Sequence, residues 1–530
     1  MERLMRFLGI TKSSLLRSLA LFYAPWFVLA TRGFFCIPEP LNYVKELLGF
    51  GLFTSCFFAL VLIPNSTKFR QWMAIFSAVL LTFLCFSKLS FYIHYGTKLS
   101  VSALFVIFET NQTEAADFLA NYFSWQVVVL ALVFIIIAVL TIRFFTQEKP
   151  PQNIIGKPLW ARAVFLLAIF GVCFYGVHWK FQEENIPLTV VSSWGEYTLA
   201  KKQLKDQLAT PLGVDKQVSN LQEGPETVVV IIGESTSRRN MSLYGYHRPT
   251  NPLLAKRSTD LVIFDSVISP HVHTITAVDK ILTLNSFKKN YQSNNVSVVQ
   301  LANQAGFETY WISGQRPVGI HESVPTIIGN AARHKKFINT DDYKDIFYDQ
   351  ALLEYVQEAI ADTPQQKVIF VHLMGTHVGY NKRYPKEFEY FKNGEARKQQ
   401  QINQYDNAVR YNDSIVNEVI TMLSLSNSPA KLVYFSDHGD DVYLEQQAIG
   451  HNEYRPTRPM YQVPLFIWST NKIYAQHQQK RYSLEDFPHT FAQLCGFSFN
   501  GLQQDRSILS TNFTEQTRII KDSIDYDSNW

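Results

Sequence analysis

Five apolar stretches crowd the first 180 residues, at about Ser18–Phe35, Leu47–Ile63, Trp72–Ile93, Trp125–Phe145 and Trp160–Trp179. Crossing the hydrocarbon layer takes about 20 such residues in a helix. Buried helices of a soluble protein would need polar faces, and five stretches of this kind leave none. A membrane-spanning domain over residues 1–180 is therefore expected, with the lipid bilayer as its solvent. Lys88 lies near the far end of the third stretch, where its long stem can carry the ammonium to the interface.

Positive charge sets the orientation. Arg3, Arg6, Lys12 and Arg17 precede the first span, Lys68 and Arg70 lie between the second and third, and Arg143, Lys149, Lys157 and Arg162 surround the fourth connection. The opposite side carries Arg32, Lys45, Lys88 and Lys98. This bias puts the N-terminus in the cytoplasm, and five crossings carry everything after Trp179 outside. Val28-Leu29-Ala30 resembles a signal-peptide cleavage site, but cleavage there would leave the C-terminal part on the same side.

Charges and turn residues return at soluble density after about residue 200, so the chain is not purely a membrane protein. Its formal charge of +4 is small and scattered, which argues against nucleic-acid binding. Cys36, Cys56, Cys85 and Cys173 lie in or beside the apolar runs, leaving Cys495 alone in the polar part. That part therefore has neither a disulfide of its own nor a Cys-x-x-Cys pair for zinc, and a core of roughly 300 residues must hold it without staples.

Residues 181–226 read as a linker or a helix on the membrane surface, amphipathic around Leu199–Leu208 and then broken by Pro211, Gly213 and Gly224. From residue 227 to 530 short apolar runs alternate with helical patterns. The expected strands are Val228–Ile232, Leu261–Phe264, Glu308–Ile312, Val368–Leu373, Leu432–Phe435 and Val463–Trp468. The expected helices are Val296–Ala305, Tyr348–Ala361, Gln399–Leu425 and Leu484–Cys495. This rhythm predicts an α/β domain with a largely parallel central sheet, whose ligands gather beyond the carboxyl ends of the strands.

Three of these strands run into metal-ligand chemistry. Val228–Ile232 leads to Gly233-Glu234-Ser235-Thr236, Leu432–Phe435 to Ser436-Asp437-His438-Gly439-Asp440, and Val368–Leu373 to Gly375-Thr376-His377. Glu234, Asp437 and His438 supply two carboxylates and an imidazole, a set that suits zinc or manganese with an open coordination position. His377 and His451 can line the same cleft. Singly, a Glu after a strand is most often a neighbour of a helix cap, and Asp-His-Gly is an ordinary turn. Their joint arrival at three strand ends is what points to a site.

A nucleophile candidate follows Ser269-Pro270-His271-Val272-His273. Thr276 and Asp279 form a Thr-x-x-Asp capping pattern ahead of a helical stretch, Ala277–Asn285. Thr274 then sits just before a helix N-terminus, where free N–H groups favour a phosphate or alkoxide. A threonine hydroxyl is a weak nucleophile that metal coordination can activate; Thr274 as a plain cap fits the local sequence equally. His271 and His273 read alike as ligands, acid/base groups or surface residues.

Gly233-Glu234-Ser235-Thr236, Arg238, Tyr244-Gly245-Tyr246 and Arg248-Pro249-Thr250-Asn251-Pro252 together resemble the opening motif of the phosphoethanolamine transferases that modify lipopolysaccharide. The likeness continues through Val371–His377, Lys382-Arg383-Tyr384-Pro385 and Ser436-Asp437-His438-Gly439. It implies a bacterial inner-membrane enzyme with an alkaline-phosphatase/sulfatase-like periplasmic domain. It implies one tight zinc site on Glu234, Asp437, His438 and the nucleophilic Thr274, with a second ion compatible and manganese less suited. His377 and His451 would contact the substrate phosphate or the second metal. Phosphoethanolamine would pass from phosphatidylethanolamine to a lipopolysaccharide acceptor, either core heptose or lipid A phosphate, through a covalent intermediate on Thr274.

Two departures bear on the acceptor. The exported part lacks the disulfides of the lipid A-modifying members, and His271-Val272-His273 replaces their small Gly/Ser/Thr-rich sequence. Both favour the branch acting on core heptose. The rival activities are a phosphoglycerol transferase drawing on phosphatidylglycerol and a non-catalytic membrane sensor on the same fold. A sulfatase is disfavoured because no Cys/Ser-x-Pro-x-Arg segment is present to become formylglycine. Oligomeric state has no signature in the sequence.

Overall fold

The computed structural model describes residues 12–34, 40–64, 66–95, 104, 125–147, 159–182, 184–209, 217–287, 296–315, 324–338, 347–426, 428–453, 455–471, 477–521 and 523–530. Arg3, Arg6, Cys36, Lys98, Lys149, Lys157, Pro211 and Gly213, used above, lie outside the described residues. The chain divides near residue 196 into two compact units.

The first unit contains α1 (Lys12–Phe34), α2 (Pro40–Leu62), α3 (Thr67–Tyr95), α4 (Trp125–Gln147) and α5 (Leu159–Lys180). All five are long and apolar enough to cross a membrane, with mean hydropathy between 1.3 and 3.0 in their most apolar windows. Trp72, Trp125, Trp160 and Trp179 lie exposed at helix ends, where their amphipathic rings suit the headgroup level. α6 (Ile186–Ala209) is one continuous helix rather than a short amphipathic piece around Leu199–Leu208. Its first turn starts at Asn185, whose carbonyl accepts from the N–H groups of Leu188 and Thr189 at 2.9 and 3.0 Å.

Lys88 departs from the expected outward reach. It is 5 % exposed, pairs with Glu46 of α2, and donates to the Glu184 carbonyl at 2.7 Å. A buried carboxylate partner makes an ammonium tolerable inside an apolar bundle, so the side chain turns to Glu46 instead of the interface.

The second unit is built on a seven-stranded sheet. Its strands are β1 (Glu226–Gly233), β2 (Leu261–Ile263), β3 (Glu308–Ser313), β4 (His334–Phe337), β5 (Gln366–His372), β6 (Ala430–Ser436) and β7 (Leu465–Ser469). They lie in the order β2-β7-β6-β1-β5-β3-β4. β7 runs antiparallel to both neighbours and the remaining pairs are parallel. Along β1, Val228, Val230 and Ile232 enter the core on one face, and Val229 and Ile231 the core on the other. Helices cover both faces, which is why this central strand is an unbroken apolar run rather than an alternating one. α7 (Thr274–Leu282) sends Ala277, Val278 and Ile281 into the first core; α8 (Arg397–Leu425) sends Val409, Ile415 and Val416 into the second.

Candidate active site

Parallel register brings the carboxyl ends of three strands to one place. Ile232 of β1 is level with His372 of β5, and Gly233 with Ser436 of β6. The next residues out are Glu234 and Asp437-His438, all three with at most 1 % exposure. His438 Nε2 lies 3.3 Å from Glu234 Oε1 and 3.6 Å from Asp437 Oδ2. Thr274, half-buried, completes the set: its Oγ1 is 3.1 Å from Glu234 Oε2 and 3.3 Å from His438 Nε2.

The turn that presents Glu234 is closely held. Ser235 adopts φ +57°, a left-handed conformation uncommon outside glycine, while its carbonyl accepts from the Tyr405 hydroxyl at 2.8 Å. Gly375, at φ +51°, lies against the same turn, and a Cβ there would meet the Glu234 backbone N and O at 2.8 Å. Only a residue without a side chain permits that approach. Thr376 then donates through its N–H and its hydroxyl to the Glu234 carbonyl, each at 2.9 Å.

Thr274 is the first residue of α7, with His273 as N-cap. The helix thus begins earlier than the Thr-x-x-Asp pattern suggests. Thr276 Oγ1 donates back to the His273 carbonyl at 3.1 Å, and Asp279 accepts from Asn285 Nδ2 at 2.6 Å, so neither residue caps the helix start.

Burial and charge oppose each other here. Burial pushes the Glu234 carboxyl up, but the hydrogen bond and charge of His438, with the charge of His377, hold it well below the usual carboxylate range. Burial and the adjacent Glu234 push Asp437 up to about 8. Burial works against the His438 imidazolium, yet Asp437 and Glu234 together raise it to about 10. Asp437 Oδ1 accepts from the N–H groups of His438 and Ser235 at 2.7 and 3.2 Å, whereas Oδ2 is buried with no hydrogen-bond partner. An orphaned carboxylate oxygen facing a second carboxylate, an imidazole and a hydroxyl fits a divalent cation of borderline hardness. The residues present therefore fit zinc.

The remaining histidines fall into distinct places. His451 Nδ1 bonds Asp440 Oδ1 at 2.6 Å, and its ring centroid is 4.3 Å from that of His438. His377 is half-buried after β5; Glu234 feels its charge, and its Nδ1 lies 3.3 Å from the Val378 carbonyl. His271 Nδ1 pairs with Glu453 Oε1 at 2.6 Å, both side chains buried, which ties the turn before Thr274 to the segment carrying His451. His273 packs its ring 5.0 Å from His451; burial, then His451, lowers it to about 3, so it is neutral. Neither His271 nor His273 is a surface residue.

Sequence reasoning passed over two neighbours. Gln315, just past β3, donates from Nε2 to Glu234 Oε2 at 3.0 Å; a polar residue at a fourth strand end was the available signal. Asp440 follows the Ser436–Gly439 segment directly, and the Tyr380 hydroxyl donates to its other oxygen at 2.7 Å.

Residues 226–497 match the sulfatase family. The phosphoethanolamine transferase EptC of Escherichia coli (strain K12) is 32% identical over 494 residues, covering 83% of this chain and 84% of EptC. The chain belongs to the phosphoethanolamine transferases. The crystal structure of the C-terminal periplasmic domain of Escherichia coli EptC in complex with Zn is 32% identical, covers 59% of the transferase and 96% of that domain, and superposes with a TM-score of 0.55. The integral membrane lipooligosaccharide phosphoethanolamine transferase A (EptA) of Neisseria meningitidis shares the fold over 97% of both chains, with a TM-score of 0.61 at 18% identity. The transferase is a membrane protein with an exported sulfatase-like domain.

Proposed function

We propose that the transferase moves phosphoethanolamine from phosphatidylethanolamine to lipopolysaccharide, on core heptose or lipid A phosphate, by way of Thr274. The single observation carrying this reading is the approach of Thr274 Oγ1 to Glu234 and His438, with Asp437 completing an anionic pocket at two strand ends and a helix start. Glu234, Asp437, His438 and Thr274 would hold one zinc ion, the metal in the EptC domain complex, and the imidazole favours it over manganese. When bound, zinc makes a coordinated hydroxyl more acidic and neutralises charge on phosphoryl oxygens. A second ion is compatible with His438, Asp440 and His451, whose ligand atoms also approach one another within 4.8 Å.

Thr274 Oγ1 attacks the donor phosphorus in line, its proton passing to the surrounding carboxylates. The bond from phosphorus to the glyceryl oxygen breaks, and that oxygen takes a proton from His451 or His377 and leaves as diacylglycerol. The start of α7 adds free N–H groups and the positive end of its dipole beside the transferring group. An acceptor hydroxyl or protonated phosphate then gives its proton to the histidine that protonated diacylglycerol and attacks the same phosphorus; the bond from phosphorus to Thr274 Oγ1 breaks, and the threonine oxygen takes its proton back from the carboxylates. The placement that suits this chemistry is the bacterial inner membrane, with the N-terminus cytoplasmic and residues 227–530 in the periplasm, as the positive charges before α1 and between α2 and α3 favour.

The test is a donor panel on the full-length protein in nanodiscs, with rough-type lipopolysaccharide as acceptor and lipid mass spectrometry as readout. Phosphatidylethanolamine should give modified lipopolysaccharide and diacylglycerol, abolished by chelation and restored by zinc. Transfer from phosphatidylglycerol alone would replace this reading with phosphoglycerol transfer. Absence of transfer from either lipid by zinc-loaded protein would favour the sensor.

A further inference from the structure

Two motifs of the sequence have no task in the chemistry above; one lines a cleft of about 990 Å³ in the second unit, and the other is tied to its wall through Asn407. Tyr246 and Arg248 of the opening motif form one wall. The Tyr246 hydroxyl and Arg248 Nη1 both bond Asp406 Oδ2, at 3.0 and 2.5 Å, and the Arg248 guanidinium stacks 3.9 Å from the Phe391 ring centroid. Tyr390 and Phe391 form a second wall. Their backbone N–H groups donate to Asn407 Oδ1 at 3.0 and 2.8 Å, and Asn407 in turn reaches the hydroxyl of Tyr384 from the Lys382–Pro385 motif. The third wall is Val442–Leu444, a few residues beyond Asp440, which holds His451. There Tyr443 stands at φ +59°, a conformation bulky residues rarely adopt and one that gathers at ligand sites.

The lining has a consistent chemistry. Tyr390 is 58 % exposed, an unusual state for a ring in a held loop. Arg410 lies 4.1 Å from the Tyr390 ring centroid and Lys398 5.1 Å from that of Tyr443. Lys392 and the amides of Asn393 and Gln399 line the opening, and no described lining residue is an aspartate or glutamate. Aromatic rings that keep one side in water pack the C–H face of a sugar ring, amides pair with its hydroxyls, and Lys392, with Lys398 and Arg410 beside the lining rings, attracts phosphate, whereas the Arg248 charge is taken up by Asp406. The volume lies at the upper end of the about 300–1,000 Å³ typical of ligand pockets, which suits an oligosaccharide better than one small headgroup.

We propose that this cleft binds the anionic oligosaccharide of the acceptor, apart from the site that takes the donor. This rests on the reading of the protein as a transferase to lipopolysaccharide. The acceptor would be gripped at Tyr390, Lys392 and Tyr443, on walls continuous in sequence with the loop that positions His451.

The test uses the full chain in nanodiscs, with a Tyr390→Ala/Lys392→Glu double variant at exposed positions and Tyr390→Phe as the conservative control. Saturation-transfer NMR follows binding of a phosphorylated core oligosaccharide cut from rough-type lipopolysaccharide, beside a neutral glucan of equal length. Labelling of Thr274 from phosphatidylethanolamine vesicles, which needs no acceptor, reports the fold and the donor step. The expected result is at least a tenfold loss of oligosaccharide binding in the double variant, little change in Tyr390→Phe, weak binding of the glucan, and unchanged labelling. Binding retained in the double variant, equal binding of the glucan, or no oligosaccharide binding by the wild type would each overturn the inference. Oligosaccharide binding lost in the variant, with no Thr274 labelling even in the wild type, would instead overturn the donor chemistry and leave the saccharide site standing.

Discussion

Asp413 shows how far single buried residues shape the second unit. It accepts the N–H groups of Leu253 and Leu254 at 2.8 and 3.0 Å, and burial raises its carboxyl to about 6 in spite of both bonds. A carboxyl whose folded pKa exceeds its unfolded value makes the native state bind more protons, so its contribution to stability declines as pH rises from about 4 through 6. The shift corresponds to roughly 3 kcal/mol of cost at pH 7, relieved on acidification. Asp413→Asn cannot take up that proton. Thermal unfolding of the two detergent-solubilised proteins should therefore show the Tm difference moving in favour of the wild type by several degrees from pH 7 to pH 5. A difference independent of pH would mean that Asp413 titrates normally. At this scale the sequence was most legible where residue type and position coincide. Glu234, Asp437 and His438 each follow an apolar strand, and their side chains converge. Lys88 was misread because its partner lies 42 residues away on another helix, and Gln315 was passed over because an amide carries no metal-ligand signature on its own.

Secondary elements were legible in proportion to their burial. β1, β5 and β6, covered on both faces, are unbroken apolar runs, and no other periodicity competes with them. β4, His334-Lys335-Lys336-Phe337, is a sheet edge with its first three residues exposed, so no hydrophobic pattern marks it. The reversed direction of β7 was hidden as well, because hydrophobicity carries no polarity. In the first unit, the Lys88–Glu46 pair links α2 and α3 by charge, beside apolar packing that includes Phe50 and Tyr43 of α2 and Leu84 and Tyr92 of α3. Removing one partner of a buried pair typically costs about 3–5 kcal/mol, whereas an apolar replacement of both is close to neutral. Glu46→Gln should accordingly lower the Tm in detergent markedly, and Glu46→Leu combined with Lys88→Met should recover most of the loss. Equal destabilisation by the single and double variants would contradict a pair that acts as a unit.

On the scale of the whole molecule, the five apolar helices and the exported catalytic domain are expected to cooperate because the proposed donor and acceptor are both lipids. A protein lacking residues 1–180 should keep phosphoethanolamine release from a soluble, short-chain donor within a few fold of the full chain, yet lose at least about tenfold on bilayer phosphatidylethanolamine. Full activity of the shortened protein on vesicles would show that the helices do no more than anchor. The acceptor was the least legible property of the chain, since the cleft proposed for it gathers Tyr246, Tyr390 and Tyr443 from three distant segments that only folding assembles. The central claim is narrower: a metal-dependent covalent phosphoethanolamine on Thr274. It is tested most directly by peptide mass spectrometry of the full-length protein incubated with phosphatidylethanolamine. The account predicts a phosphoethanolamine mass on the peptide containing Thr274, missing after chelation and in Thr274→Ala. The same adduct on another residue, or turnover undiminished in Thr274→Ala, would contradict it.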